Sequence, residues 1–250
     1  MYPSLPFGPI SMPTGPFMAM VAFWVGLDLA SRYGRRLGLH PDTAWNVGMI
    51  AIVAGLIVAR LWSVVQFWYV YAAQPILILS LRPSGFAFWP GLIAALIVGY
   101  GYLVYKSLDP VKVGAAFAVG GLGLMSIYNL SQYLTGAALG TLSDVPWALP
   151  YYGEARHPVA LYRAFGLLLA LITIYIWGDV KRPLRTIWLA GLGASLVYLI
   201  AGAFQANAAV MGQFRTSQVI AFVAALIFTL LLAAEARSAS LPAETEAHGG

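Results

Sequence analysis

The chain has 250 residues and no cysteine, and its formal charge of +5 arises from 14 Lys and Arg against 9 Asp and Glu. Charged residues are 9% of the chain, hydrophobic ones 60%, and mean hydropathy is +0.79, whereas ordinary globular proteins carry roughly 25% charged residues. The composition excludes disulfides and thiolate metal sites, and the scatter of His40, His157 and His248 argues against a histidine metal site; charge this sparse reports membrane topology rather than nucleic-acid binding.

Lys, Arg, Asp and Glu are absent from Met1 to Leu27, from Gly114 to Ser143 and from Thr186 to Phe214. Each run exceeds the ~20 helical residues that cross a hydrocarbon core. Backbone groups in lipid must pair internally, so the prediction is an all-α integral membrane protein. Its helices cover roughly Met12–Ala30, Thr43–Tyr69, Phe86–Tyr105, Val111–Leu139, Pro158–Trp177, Arg185–Ala206 and Thr216–Ala234. The second and fourth are long, which implies tilt or a break at Gly55 or around Gly120, Gly121 and Gly123. No basic region precedes the first span, which reads as an uncleaved anchor rather than a signal peptide. Residues 1–234 form a single transmembrane domain and 235–250 a disordered cytoplasmic tail.

Orientation follows from Lys and Arg. Arg32, Arg35, Arg36, Lys106, Lys112, Lys181, Arg182, Arg185 and Arg237 fall on one side, against Arg82, Arg156 and Arg215 on the other. The N-terminus is therefore placed outside and the C-terminus in the cytoplasm. The outer connections 70–85 and 140–157 are long and contain Pro and aromatics, and Tyr69, Tyr71, Trp147, Tyr151 and Tyr152 are placed at the interface. They form a small outer cap or an ordinary aromatic belt.

Polar residues inside the spans gather at the outer level: Arg60, Asn129, Gln132, Arg163, Gln205, Asn207, Arg215 and Gln218. A charge in the bilayer centre costs ~2.5–3.5 kcal/mol even on permissive scales. Arg60 and Arg163 have no acidic residue at their level, Asp144 and Glu154 on the outer loop being nearest. Two explanations compete. Guanidinium groups coordinate an anion such as a phospholipid phosphate, or long stems snorkel to the headgroups. Asn129 serves such a site or only bonds a neighbouring helix. Gly121-x-Gly123, Gly136-x-x-x-Gly140 and Gly191-x-Gly193 suit close helix approach.

The run Arg156-His157-Pro158-Val159-Ala160-Leu161-Tyr162-Arg163 resembles the R-H-P-S-Q-L-Y-E signature of prolipoprotein diacylglyceryl transferases. Weaker matches follow in order: Phe7-Gly8-Pro9-Ile10 to I-G-P, Ala59-Arg60-Leu61 to G-G-R-I, Gly85 to Ile93 to G-M-S-F-H-G-G-L-I, and Ile127-Tyr128-Asn129 to the end of G-R-L-G-N. The resemblance implies a multi-pass protein of the bacterial inner membrane that moves diacylglyceryl from phosphatidylglycerol to the lipobox cysteine of a prolipoprotein. It implies no metal or organic cofactor. It makes phosphatidylglycerol or another anionic phospholipid, and prolipoprotein signal peptides, the partners, and no nucleic acid. The chemistry needs a base for the thiol and cations for the departing glycerol phosphate. His157 is the candidate base; Arg60, Asn129, Arg156, Tyr162, Arg163 and Gln205 are the candidate headgroup ligands.

The chain also departs from the pattern. Trp89 stands at the loop histidine, Ser126 at the arginine of G-R-L-G-N, Gln132 to Ala137 replace N-G-E-L-W-G, Pro13-Thr14-Gly15 replaces a tyrosine-bearing stretch, Arg163 replaces the motif's glutamate, and Gln205 a late arginine. Two readings result: a divergent active transferase, or a non-catalytic relative that holds anionic phospholipid or serves as a membrane-complex subunit. A transporter would need polar groups along a full pathway, and the inner halves of the spans are nearly bare of them.

Overall fold

The computed structural model describes residues 2, 4–7, 10–79, 85–151, 153–211 and 214–247. Arg82, Tyr152, His248 and the Gly8-Pro9 pair lie outside the described residues, as do 80–84 of the expected cap. Among the described residues, seven helices are long and apolar enough to cross a membrane. They are α1 (Thr14–Arg36), α2 (Thr43–Gln66), α4 (Phe88–Tyr105), α5 (Pro110–Thr135), α6 (Val159–Trp177), α7 (Pro183–Gly202) and α8 (Thr216–Ala247), whose apolar part ends at Arg237. A short α3 (Trp68–Ala73) and a 3₁₀ turn (Pro75–Leu79) follow α2.

Three hairpins complete the described elements, each an antiparallel pair: β1 (Ser4–Phe7) with β2 (Ile10–Pro13), β3 (Leu149–Tyr151) with β4 (Glu154–Arg156), and β5 (Val210–Met211) with β6 (Phe214–Arg215). They occupy one end of the bundle, termed here the hairpin end. Tyr2, ahead of the first hairpin, donates its amide to Leu134 O of α5 at 2.9 Å and lies beside Leu149 and Pro150 of the expected cap from 140–157.

Helix α5 is the hub, packing against α1, α6 and α7. Asp109 caps its start, accepting from the Val111 and Lys112 amides at 2.9 and 3.3 Å, with Pro110 in the first turn where its missing N–H is harmless. Gly136 ends it in the left-handed region, φ 72°, which glycine adopts without strain. The core beside it contains Tyr33, Val119, Leu122, Leu167, Leu171 and Ile174, all buried. The outer faces of α4 and α8 carry exposed Leu96, Ile97, Phe222 and Leu226, the pattern of helices whose solvent is lipid.

Neither long helix breaks at the suspected glycines; both α2 and α5 are continuous. Glycine instead permits contact. A Cβ at Gly120 would lie 2.3 Å from Gly26 O, and one at Gly55 would lie 2.9 Å from Gly91 O. These crossings bring α1 onto α5 and α2 onto α4 at backbone contact.

Candidate functional site

Segments on either side of α6 and α7 build a platform at the hairpin end. Residues 137–142 lie between the turn after α7 and the strand before α6. On one side Thr141 N donates to Phe204 O at 2.8 Å and Ala206 N to Leu139 O at 2.8 Å; on the other, His157 N donates to Thr141 O at 3.0 Å. Gly140 is wedged here: an added Cβ would sit 1.9 Å from His157 O. No other residue fits that approach. Arg156 Nη1 donates to Gly140 O at 3.0 Å and its Nη2 pairs with Glu154. Glu154, an expected counter-ion for the arginines of the spans, is therefore engaged by Arg156.

His157 precedes Pro158 and α6. Its Nδ1 lies 3.0 Å from Tyr162 Oη, and Trp147 Nε1 donates to the same phenol at 2.8 Å. The His157 ring rests 4.7 Å from that of Phe204. With Nδ1 engaged, Nε2 is the nitrogen left for a further partner.

One residue along on each segment, Arg163 meets Gln205. Its Nη2 donates to Gln205 Oε1 at 2.5 Å, and Gln205 Nε2 donates to Asn207 Oδ1 at 3.2 Å. Asn207 Nδ2 is held by Ala137 O at 3.0 Å, while Asn207 Oδ1 also accepts from Leu139 N at 3.2 Å. The guanidinium lies 5.0 Å over the Tyr198 ring, whose hydroxyl accepts from Asn129 Nδ2 at 2.9 Å. Asn129, Tyr198, Arg163, Gln205 and Asn207 thus form one connected network from α5, α6, α7 and the turn beyond it.

Arg163 is only 7% exposed and its Nε has no partner. Among the described residues no carboxylate lies within 4.0 Å of it. A buried cation without an anion is costly; the ring face of Tyr198 offsets part of that. The geometry leaves a guanidinium with its charge uncompensated and donor capacity remaining, which is the chemistry of an oxyanion seat.

Arg60 lies elsewhere. Its Nε donates to Ile78 O at 3.0 Å, Nη1 to Gly85 O at 2.6 Å and to Tyr71 Oη at 3.2 Å, and Nη2 to Leu77 O. The rings of Tyr71 and Phe86 flank it at 5.2 and 5.4 Å. A Cβ at Gly85 would lie 2.0 Å from Nη1. Arg60 does not join Asn129 and Arg163 in one network; it ties the connection after α2 back onto that helix. Trp89, at the start of α4, is 69% exposed and meets Phe88 edge-on, so it fills no internal cavity.

Tyr198 and Phe204 carry no expectation from the sequence, while Asn207 enters there only as one of the outer polar residues and Gly140 only in a spacing that suits helix approach. Tyr198 gave a weak signal, a phenol in an otherwise apolar span. Two further polar candidates close a helix end: Arg215 Nη1 donates to Gly202 O at 3.1 Å, and Gln218 Nε2 to Leu199 O at 3.3 Å, both carbonyls of the last turn of α7.

A family model described as prolipoprotein diacylglyceryl transferase matches residues 5–234. Among curated relatives, a phosphatidylglycerol–prolipoprotein diacylglyceryl transferase of Clostridioides difficile is 30% identical over 151 residues, a match that spans 59% of this chain and 61% of that protein. Proteins of the same name are 30% identical over 207 residues in Chromohalobacter salexigens (76% of this chain, 74% of that protein) and 25% identical over 240 residues in Synechococcus elongatus (87% and 81%).

Proposed function

The chain belongs to the prolipoprotein diacylglyceryl transferase family, and from that premise we propose that it moves diacylglyceryl from an anionic glycerophospholipid, phosphatidylglycerol, to the cysteine thiol of a prolipoprotein. The Lys and Arg bias supports the hairpin end as the extracytoplasmic face of a bacterial inner membrane. Arg163, held by Gln205 and Tyr198, neutralises the phosphate of the donor. His157 Nε2 takes the thiol proton while Nδ1 donates to Tyr162, an arrangement that fixes one tautomer. The thiolate sulfur attacks the diacylglyceryl carbon that bears the phosphoester oxygen. A C–S bond forms, the C–O bond breaks, and glycerol phosphate leaves with its charge beside Arg163. The observation that carries this reading is the adjacency of the His157–Tyr162–Phe204 cluster to the Arg163–Gln205 pair, set by consecutive residues on both segments.

A second reading is favoured by Trp89, Ser126, Arg163 and Gln205, which differ from the family pattern where charged or proton-transferring groups stand. In it the protein holds anionic phospholipid without turning it over, alone or within a membrane complex. One experiment separates the two. Purified protein in phosphatidylglycerol vesicles is given a lipobox peptide, and thioether-linked product and free glycerol phosphate are followed by mass spectrometry. Activity is expected in wild type and a fall of about 100-fold in His157→Ala, within the usual range for a lost general base. Lipid retention without product, in protein shown to be folded, would leave the second reading standing.

A further inference from the structure

Trp147 is 60% exposed, yet its indole nitrogen is bonded within the protein. In an aromatic belt that nitrogen would meet headgroups and water. Here Nε1 donates to Tyr162 Oη at 2.8 Å, and the same oxygen lies 3.0 Å from His157 Nδ1. An indole N–H only donates, so Tyr162 accepts from Trp147 and keeps its O–H and a second lone pair for His157 and for groups beyond. Among the described residues, Trp147 and His157 are the side chains hydrogen-bonded to that oxygen.

The loop that carries Trp147 is tied down at both ends. Leu142 bridges Arg156 of β4 from one side, and Leu149 of β3 pairs with the same residue from the other. Ser143 N donates to Ala155 O at 3.1 Å, and Val145 N donates to Ser143 Oγ at 3.3 Å. The tip is a turn closed by Ala148 N on Val145 O at 2.9 Å, with Pro146 directly ahead of Trp147; proline presets φ at the second position of such a turn. Arg156 is the chain neighbour of His157. The loop therefore hangs from the residue beside the histidine and returns to it through Tyr162. The Phe204 ring completes the setting, 4.7 Å from that of His157 and 5.9 Å from that of Tyr162.

We infer that Trp147 is a positioning residue for His157: its N–H pins the Tyr162 oxygen, and the pinned oxygen sets how the imidazole faces the thiol. The inference rests on the base reading of His157 above and adds to it what holds that base in place. Trp147 acts through the phenol, so its contribution exists only while the Tyr162 hydroxyl is present. A misplacement of about 1 Å costs up to ~10²-fold in rate, and loss of a pin one residue removed from the base is expected to cost about tenfold.

Trp147→Phe keeps an aromatic ring and removes the donor. With full-length protein, phosphatidylglycerol vesicles and a lipobox peptide, kcat is expected to fall about tenfold with KM for the peptide unchanged. Trp147→His, whose Nε2 overlays the indole nitrogen, should recover most of that loss. In a Tyr162→Phe background Trp147→Phe should cost nothing further, as a shared route requires. Trp147→Leu repeats the test should the phenylalanine variant misfold. The chain holds three histidines, so nitrogen NMR of ring-labelled histidine follows His157 without any turnover; its signals should move in Trp147→Phe and return in Trp147→His. Losses that add in the double variant, or His157 signals unmoved in folded Trp147→Phe, overturn the positioning role alone. Wild-type turnover in His157→Ala overturns the base reading beneath it.

Discussion

Arg60 and Arg163 look alike in sequence and differ in the folded chain. Each is a lone guanidinium on an apolar helix at the hairpin end. Arg60 is enclosed by three main-chain carbonyls, the phenol of Tyr71 and the ring of Phe86. Arg163 is more deeply buried, gives one hydrogen bond to a neutral amide and keeps an orphan Nε. The first is a tie between chain segments; the second is an incomplete coordination sphere. What separates a structural arginine from a binding one here is the number of donors that the protein itself satisfies.

The sharpest way to break this contrast is Arg60→Ala. It leaves the part-buried carbonyls of Leu77, Ile78 and Gly85 without their donor, at about 1 kcal/mol each, the lower end of the range for a group left unpaired. A loss of about 3 kcal/mol is expected, which for a chain of this size lowers Tm by roughly 10 °C. Thermal unfolding in detergent measures it. Should Arg60→Ala unfold like wild type yet lose bound lipid, the two arginines have exchanged roles.

Gly140→Ala follows in size. Its Cβ has no room against His157 O, so the platform must shift, and overpacking of this kind costs ~1–3 kcal/mol. The same shift moves His157 off Tyr162, so product formation should fall further than stability alone explains. Wild-type turnover in Gly140→Ala would show that the platform does not position His157.

Much of the fold was legible because lipid imposes one rule, apolar runs of a fixed length, and the runs marked every spanning helix. Boundaries at Thr43, Tyr105 and Trp177 agree because charge or Gly/Pro lies close beyond them. The hairpins escaped because two- to four-residue strands carry no period to read, and Tyr2–Pro13 is merely apolar. For the site, residue type and depth pointed to Asn129, Arg163 and Gln205, and the motif from Arg156 to Arg163 added His157 and Tyr162. Depth could not assign Arg60, because the carbonyls that enclose it belong to backbone and leave no trace in side-chain identity. Tyr198 was hidden for the opposite reason: its ring belongs in a membrane span, and only its hydroxyl reaches Asn129.

Arg163→Gln sharpens the contrast in the other direction. Removing an uncompensated buried charge is neutral or stabilising when packing is kept, so unfolding should stay within about 1 kcal/mol of wild type while lipid retention falls. A large loss of stability would mean that Arg163 is a second structural tie.

The smallest effect belongs to Tyr151, an orphan of a different kind. Its ring is 2% exposed, meets Tyr133 edge-on at 6.2 Å, and its hydroxyl has no partner beside a cavity of about 140 Å³. Burial, helped by Tyr133, pushes the phenol from 10.0 up to about 12. The unfolded chain therefore ionises first. Whatever stability the neutral phenol contributes is whole below pH 10 and declines as pH rises from there through about 12. In Tyr151→Phe that decline should flatten, and at neutral pH the variant should match or exceed wild type by up to ~1 kcal/mol, since an unsatisfied hydroxyl is removed. Tm measured across this alkaline range checks both. A neutral orphan is thus expendable where a charged one is not: if Tyr151→Phe instead weakened lipid retention as strongly as Arg163→Gln, an unpartnered polar atom would be no guide to which of the two regions binds the ligand.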